Sequence, residues 1–536
     1  MQTKTNRTRA NSIDGNAAWI KRQISLIKST PWVLPVIVWF AVVAWRPLVA
    51  GFYHDDWLVL QPLLAGDAFS VFEAQASRPV YALIIVCVRQ LLPMNPLYYQ
   101  GLLAILMACS ALTIGLFSQS MSNRLANNSK MASWAGAVSA SIWLATPWDL
   151  GVSVWPTTFP AQISVVGFCI VGAITLGNDS SRAKLTKALP IFLVISLISE
   201  LFWLAFIPLI ILLIALGTGF SNWRKQKEAI SLLIGFSSIQ ILLAALNRLL
   251  VFLGLGTNRS FNPLFLETTW HSIRLLPSEF SKAVVSPLFF WTIVFFLVGG
   301  LIVGTSFHTK RKVIAGVFLA VGVGCLISIL LFALAGYRVQ SIGIFSRTTV
   351  VISVWLSLIP ALAIAVAEKF SSWVKWSVNI ASALLLLVLA FSSVINLEAW
   401  SRSWDFQKAL LSSIPVEELS RMAEKDSFIL IDAEKPENSV EGLEGVWDLS
   451  GALFVQYPAL RDRFASKRNR YFAALVDRSK KQTTWDGTDI VQSWCHSPQV
   501  PVFKLGAPSQ VFLWNYSARQ LTRLDNPSQL GCEKSL

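Results

Sequence analysis

Charged residues are scarce in this sequence. They make up 14% of its 536 residues, whereas hydrophobic residues make up 54%. Soluble globular domains have roughly 25% charged residues, so the composition excludes an ordinary water-soluble protein. The mean hydropathy is +0.56, and long apolar runs recur from about residue 32 to residue 396. Runs of this kind are typical of transmembrane helices, and we predict a polytopic helical membrane protein.

Cysteine is also rare, with six residues in the chain. Four of them lie in or beside apolar segments and are expected to pack as small hydrophobic side chains. Cys495 and Cys532 lie in the carboxyl-terminal part, and the sequence leaves open whether they pair. There is no Walker motif and no GxGxxG motif, and His496 beside Cys495 lacks partners at the spacing of a metal site. We therefore predict no nucleotide cofactor and no resident metal.

The net charge of +15 does not indicate nucleic-acid binding. The basic residues cluster in short loops between apolar segments, which is the positive-inside pattern of membrane proteins. No basic segment interleaved with aromatic residues stands out in the soluble part. The basic residues of segment 1–30 predict a cytoplasmic amino terminus followed by an uncleaved membrane anchor.

The apolar segments predict about eleven transmembrane helices in residues 31–397. The predicted spans cover residues 32–50, 97–118, 132–147, 160–177, 188–203, 204–219, 229–253, 286–306, 313–335, 348–367 and 377–396.

Two segments need separate treatment. Residues Pro79–Leu92 are apolar but too short to cross a bilayer comfortably, so we predict a helix in the outer membrane interface. Residues 188–219 are longer than one span needs, and we divide them at Glu200–Trp203. Three outer loops follow from this topology, at residues 51–78, 254–285 and 336–347, and a shorter fourth loop holds Asp149 and Trp155.

Residues 398–536 are more polar and rich in turn residues, and we predict a small extracytoplasmic α/β domain there. Phe428–Asp432 and Gln510–Asn515 read as strands, and Val416–Ala423 reads as a short helix after a proline.

The carboxylate pair Asp55–Asp56 directly follows the first span. Ionisable groups close to the membrane are costly, and they mark candidate functional sites. One carboxylate could act as a general base towards an acceptor hydroxyl or amine, or the pair could cap a helix in a solvated loop. His54 and Asp56 are metal-ligand candidates only if the protein uses a divalent cation.

Several charged residues of the predicted outer face could bind an anionic substrate. Arginine binds phosphate through two parallel hydrogen bonds and keeps its charge when partly desolvated, although arginines at a membrane surface also serve as simple anchors. A glutamate inside an apolar stretch needs a partner or a water-filled cleft. The candidates are Arg78, Glu200, Arg338, Arg347 and Arg259, with Lys282 and Arg274 as weaker ones.

The ordered set of these motifs resembles the GT-C superfamily of membrane glycosyltransferases that use polyprenyl-phosphate sugars, among them protein O-mannosyltransferases and aminoarabinose transferases. The resemblance covers roughly residues 30–400. The motifs are His54-Asp-Asp-Trp57, Ser77-Arg-Pro79, Asn95-Pro-Leu-Tyr-Tyr99, Thr146-Pro147, Ser199-Glu200 and Arg347, which is followed by Thr348 where relatives often have tyrosine.

This resemblance implies a GT-C-like fold with interfacial helices and a lipid-linked donor that enters from the bilayer. It implies Asp55 or Asp56 as the base and basic residues on the donor phosphate. Between the two carboxylates, we favour Asp55. The expected activity is an inverting transfer of sugar from a polyprenyl phosphate to an envelope lipid, glycan or protein outside the plasma membrane. A transporter or flippase of a lipid-linked or anionic substrate and a non-catalytic envelope assembly protein remain alternatives.

Overall fold

The structure is a computed structural model. It describes residues 30–64, 66–76, 78–126, 128–217, 226–252, 262–307, 311–414, 429–433, 439–440, 442–443, 446–457, 473–477, 481–485, 489–494, 497–506, 510–515 and 517–524. The predictions for segment 1–29, the Val416–Ala423 helix, Arg259, Cys495 and Cys532 lie outside these residues.

Helices account for most of the described chain. In chain order they are α1 Val33–Val42, α2 Arg46–Val49, α3 Asp55–Leu64, α4 Ala68–Ala74, α5 Pro79–Leu91, α6 Pro96–Ala126, α7 Ser129–Ala145, α8 Leu150–Ser153, α9 Phe159–Leu176, α10 Ser181–Ile198, α11 Phe206–Leu216, α12 Lys227–Phe252, α13 Phe265–Ala283, α14 Pro287–Phe307, α15 Arg311–Leu334, α16 Val350–Leu356, α17 Leu358–Ala367, α18 Ser372–Ser413 and α19 Val446–Gln456.

The predicted class of a helical membrane protein is confirmed. Within the described residues, 6 helices are long and apolar enough to cross a membrane, and shorter apolar helices accompany them. Each predicted span coincides with one or two of the helices above. The first span differs from a single continuous helix, because turns at 43–45 separate α1 from α2.

The break predicted near Glu200 is confirmed. A short 3₁₀ helix, Glu200–Phe202, separates α10 from α11. The helix predicted over Pro79–Leu92 is present as α5, in which Pro79 occupies the first turn. Proline suits this position because its missing N–H would have no partner inside the helix. The predicted loop 254–285 is helical over α13, so its described part is mostly an amphipathic helix.

Small residues bring α6 and α7 close together. A Cβ atom placed on Gly136 would lie 2.6 Å from the carbonyl oxygen of Gly115. Ser118 and Ser139 share a hydrogen bond of 2.9 Å, and Ser139 also donates to the carbonyl of Ser357 on the next helix layer. Small residues and hydroxyl pairs commonly hold membrane helices together, since lipid gives no hydrophobic drive for their association.

The carboxyl-terminal part combines strands with helix α19. Its strands are β1 Ile429–Ala433, β2 Ala473–Asp477, β3 Lys481–Trp485, β4 Asp489–Trp494, β5 Ser497–Gly506, β6 Gln510–Asn515 and β7 Gln520–Leu524. One sheet has the order β2-β1-β6-β7, and β3-β4-β5 form a second, antiparallel sheet.

The predicted α/β character of this part is confirmed. In the larger sheet β1 runs parallel to both β2 and β6, and α19 packs on it through buried Leu449, Leu453 and Phe454. The predicted boundary at 397/398 lies inside α18, which continues to Ser413. The last turns of α18 therefore join the core of the carboxyl-terminal part, where Phe406 contacts Trp514 edge to face.

Candidate functional site

The carboxylate pair opens α3, and its two members have different surroundings. Asp56 is fully buried. Its Oδ2 accepts a hydrogen bond from the Tyr53 N–H at 2.7 Å, and its Oδ1 accepts one from the Thr157 N–H at 2.7 Å. Burial raises the pKa of Asp56 well above its ordinary value, although these bonds act in the opposite direction. Asp56 thus ties the loop before α3 to the loop before α9.

Asp55 faces a cavity instead, with its side chain 35% exposed. Its Oδ1 lies 2.7 Å from Nδ1 of His54, and its Oδ2 lies 4.0 Å from an Nη atom of Arg347. Burial acts to raise the pKa of Asp55, but the hydrogen bond to His54 and the charges of His54, Arg347 and Arg78 outweigh it and lower the pKa. Asp55 is therefore an ionised carboxylate at neutral pH.

The cavity has a volume of about 370 Å³ and lies where several helix ends and connecting loops meet. Its lining combines charged, hydroxyl and aromatic side chains with a few aliphatic ones: Asp55, Val59, Gln75, Arg78, Tyr81, Val152, Trp155, Thr157, Thr158, Ala161, Ile198, Ser199, Glu200, Leu331, Phe332, Ala335, Tyr337 and Arg347. Four of the residues predicted from the sequence thus line the same cavity: Asp55, Arg78, Glu200 and Arg347.

Arg347 is held among aromatic rings. Its guanidinium carbon lies 5.0 Å from the ring centre of Trp155, 5.3 Å from that of Tyr337 and 5.8 Å from that of Phe345. Such contacts are favourable for a cation and restrict the side chain. With 25% of the side chain exposed, the guanidinium keeps donors available towards the cavity.

Backbone packing fixes the segment that carries Arg347. This residue lies in the 3₁₀ helix Ile344–Thr349. The Gly151 N–H donates to Oγ of Ser346 at 2.7 Å, and a Cβ atom on Gly151 would lie 2.7 Å from the Arg347 nitrogen. Only glycine permits this approach, so α8 and the 3₁₀ helix form one tightly packed wall.

Arg78 and Glu200 form a second charged pair in the cavity lining. The Arg78 Nε lies 3.5 Å from Oε2 of Glu200, and the guanidinium carbon lies 5.0 Å from the ring centre of Tyr81. Tyr81 in turn donates to the Thr157 carbonyl at 3.1 Å. A glutamate in an apolar stretch was expected to need a charged partner or a polar cleft. Glu200 has both, because it pairs with Arg78 and lines the polar cavity.

Other sequence candidates lie elsewhere. Arg338 is exposed, and the cavity lining does not include it. Arg274 is also exposed, and Lys282 pairs with Glu279 at 2.6 Å. Gln75 and Tyr337 were missed by the sequence reasoning, since neither residue type stands out by itself in a loop.

Two buried side chains next to this wall, Arg46 and Asp149, were not predicted as site residues. Arg46 is buried and donates to the Val42 carbonyl, to Oγ of Ser153 at 2.7 Å and to Oγ of Ser393 at 3.2 Å. Asp149 is fully buried, and neither of its carboxylate oxygens has a hydrogen-bond partner among the described residues. Burial raises the pKa of Asp149 to about 7, with the charge of Arg46 acting against this.

This shift predicts a pH-dependent stability. The ordinary pKa of Asp149 is 3.8, and its pKa in the folded protein is about 7. At a pH between these values, Asp149 holds a proton in the folded state and loses it on unfolding. Its contribution is therefore fully present below pH 3.8 and is lost as the pH rises through about 7. We expect the thermal unfolding temperature of the wild-type protein to fall over this range more steeply than that of Asp149→Asn. The exposed-site variant Asp405→Asn serves as control, and equal slopes for all three proteins would contradict the assignment.

The described residues contain no group of three or more His, Cys, Asp or Glu side chains arranged to hold a metal ion. Of the two conditional metal ligands, Asp56 uses both oxygens for backbone N–H groups and His54 is bonded to Asp55. The cavity's charged groups instead suit an anion beside a hydroxyl or amine.

A second cavity, of about 250 Å³, lies between α7, α13, α14, α17 and α18. Its walls are apolar, with Trp148, Phe280, Phe290 and Trp291 as the large side chains. The hydroxyl of Thr146 in its lining is bonded to a backbone carbonyl. The segment 146–158 separates the two cavities, because its first residues line the apolar cavity and its later residues line the polar one.

Comparisons with known proteins add a structural likeness. No protein-family model matches the chain, and no curated protein matches it in sequence. The chain is similar to ArnT from Cupriavidus metallidurans. That crystal structure, in the apo state, has 14% sequence identity and a TM-score of 0.44, and the match covers 82% of this chain and 85% of that one. A likeness at this level does not assign the chain to a family, so its chemistry is argued from the site.

Proposed function

We propose that this protein is an integral membrane glycosyltransferase that takes a sugar from a polyprenyl-phosphate donor. The observation that carries the proposal is the polar cavity, in which the Asp55 carboxylate lies 4.0 Å from the guanidinium of Arg347. A carboxylate can remove a proton from an acceptor, and a neighbouring arginine can bind a phosphate leaving group. The order of sequence motifs that resembles the GT-C superfamily supports the same activity.

The proposed reaction is a single displacement at the anomeric carbon. An acceptor O–H or N–H gives its proton to Asp55 as the acceptor atom attacks that carbon. The bond between the carbon and the phosphate oxygen breaks, and polyprenyl phosphate leaves with the electron pair. Arg347 and Arg78, which both line the cavity, stabilise the charge that grows on the phosphate. This geometry inverts the anomeric configuration.

The apolar cavity supports a substrate with a lipid chain. Its walls offer almost no hydrogen-bonding groups, which suits a hydrocarbon and not a sugar. Leu288, Phe295 and Phe296 of the neighbouring α14 are exposed on the surface of the bundle, where lipid would surround them. A lipid-linked sugar needs polar and apolar binding sites close to each other, and these cavities share one wall.

Charge distribution supports an extracytoplasmic site. Basic residues lie at the helix ends remote from the polar cavity: Arg124 at the end of α6 donates to the Leu176 carbonyl at the end of α9, and Lys184 pairs with Glu228 at 2.6 Å. By the positive-inside rule this end faces the cytoplasm. The polar cavity and the carboxyl-terminal part would then face the opposite side of the plasma membrane.

Purified protein in liposomes tests the proposal directly. We expect radiolabelled sugar to move from a synthetic polyprenyl-phosphate sugar to an acceptor extract of the cell envelope, with release of polyprenyl phosphate. Movement of intact donor across the bilayer without cleavage would instead identify a flippase. Neither cleavage nor movement with a panel of hexose and pentose donors would contradict the proposed function.

A further inference from the structure

His54, directly before the carboxylate pair, has an unusual backbone. Its φ angle is +41°, in the left-handed region that non-glycine residues seldom adopt. Such a conformation costs free energy and persists only where surrounding contacts impose it. One of these contacts comes from the carboxyl-terminal part, since the His54 N–H donates to the Gly442 carbonyl at 2.9 Å.

The His54 side chain orients Asp55. Its Nδ1 lies 2.7 Å from Oδ1 of Asp55, and an ionised carboxylate can only accept, so Nδ1 carries the hydrogen. This bond occupies Oδ1 and leaves Oδ2 on the Arg347 side of the cavity. The imidazole lies edge-on to Trp155, with ring centres 5.9 Å apart. His54 therefore determines that Oδ2 of Asp55 is the oxygen available to an acceptor substrate.

Helix α19 of the carboxyl-terminal part packs directly against α3. A Cβ atom on Gly451 would lie 2.8 Å from the Trp57 carbonyl oxygen, so the two backbones are in close contact. Asp448, in the first turn of α19, is fully buried. Burial acts to lower the pKa of His54, but Asp55 and Asp448 outweigh it and raise the pKa, while Arg347 acts in the opposite direction.

We propose that His54 is a positioning residue for Asp55 and that the carboxyl-terminal part, through Gly442 and Asp448, holds His54 in its working orientation and charge. The proposal rests on the glycosyl transfer proposed above. It gives the carboxyl-terminal part a definite role, because the membrane helices alone leave the backbone of His54 without its Gly442 partner and its side chain without the Asp448 charge.

Substitutions at His54 distinguish a role in orienting Asp55 from a purely structural role in the fold. We expect His54→Ala to lower kcat by about 10- to 100-fold, while KM for the lipid donor changes less than twofold. His54→Asn should recover most of kcat, because its amide can donate near the Nδ1 position and asparagine tolerates the left-handed region. Equal kcat for wild type and His54→Ala would overturn the proposal, as would equal losses in the alanine and asparagine variants.

The pH profile tests the part played by Asp448. A neutral imidazole can carry its one hydrogen on Nε2 instead of Nδ1 and then cannot donate to Asp55, so kcat should fall as the pH rises through the raised pKa of His54. Removal of a nearby opposite charge lowers a histidine pKa, so Asp448→Asn should move this fall to lower pH. His54→Asn should lack the fall. Asp405→Asn, which removes an exposed carboxylate paired with Lys408, should leave the profile unchanged, and an unshifted profile in Asp448→Asn would overturn the role of Asp448.

Direct titration keeps this test independent of the transfer reaction. NMR of histidine-labelled protein in detergent, with the His54→Asn spectrum as assignment, should give a His54 pKa above its ordinary 6.5 in the wild type. Asp448→Asn should lower it. A wild-type value at or below 6.5 would overturn the proposal even if Asp448→Asn does not fold. Absence of transfer together with a raised His54 pKa would instead disprove the glycosyltransferase function alone.

Discussion

The Asp55→Asn protein is expected to fold normally and to transfer sugar about 10²–10⁴-fold more slowly than the wild type, the range that general-base catalysis contributes. Asparagine has nearly the same shape, and its amide oxygen can still accept the His54 hydrogen bond. It cannot accept the acceptor's proton, however, and it no longer carries the charge that faces Arg347. The measurement is kcat for transfer from a saturating polyprenyl-phosphate sugar, with thermal unfolding as the folding check.

Asp56→Asn is the matched control for this prediction. An asparagine can accept from only one of the two backbone N–H groups that Asp56 satisfies, and a buried donor left without a partner costs about 1–3 kcal/mol. We therefore expect a lower free energy of unfolding and a smaller yield of folded protein, while kcat per folded molecule stays within a few-fold of the wild type. Loss of kcat in folded Asp56→Asn with full activity in Asp55→Asn would reverse the assignment.

Arg347→Lys is the second substitution with a large expected effect. Lysine keeps the positive charge but presents a point charge in place of the planar donor fork. Loss of one preorganised donor to a developing anion typically lowers the rate by about 10²–10³-fold. We expect kcat/KM for the lipid-linked donor to fall by this amount. The rings of Trp155, Tyr337 and Phe345 contact the Arg347 guanidinium, and an ammonium lacks the planar group that packs on aromatic faces.

Two other arginines show whether the effect is specific. Arg338→Lys changes an exposed arginine in the same connecting segment, and Arg402→Lys changes an exposed arginine that pairs with Glu398 at 2.5 Å. Both variants should keep kcat/KM within twofold of the wild type. A large loss in Arg338→Lys with little change in Arg347→Lys would assign the donor phosphate to Arg338.

Most of the membrane region could be predicted from the sequence because its determinants are local. Apolar length, proline and basic loops indicated the spans, and the break at Glu200 followed from the excess length of one segment. The same reasoning missed that the first span is broken and that α18 runs on past residue 397, since both depend on packing against distant parts of the chain. Strand Gln510–Asn515 was predicted at its observed bounds, but no pattern predicted that β1 would run parallel to both of its neighbours.

The candidate site could be predicted in part. Sequence order indicated Asp55, Arg78, Glu200 and Arg347, since charges beside apolar segments are costly and stand out. Arg338 and Arg347 are both arginines of the same connecting segment, so the sequence does not distinguish them. The fold does, because it places Arg347 among aromatic rings and leaves Arg338 exposed. No sequence signal indicated that Arg46 and Asp149 are both buried and close enough for their charges to interact, because the two residues lie 103 residues apart in the numbering.

The sequence by itself determined that this protein is a helical membrane protein and that an acidic pair follows the first span. The length of an apolar segment and the positions of charged residues are local properties of the sequence, so they can be recognised without knowledge of the tertiary structure. Tertiary structure alone decided which member of the pair faces the polar cavity. Adjacent side chains on a helix point in different directions, and packing turned Asp56 onto two backbone N–H groups while Asp55 was left facing Arg347.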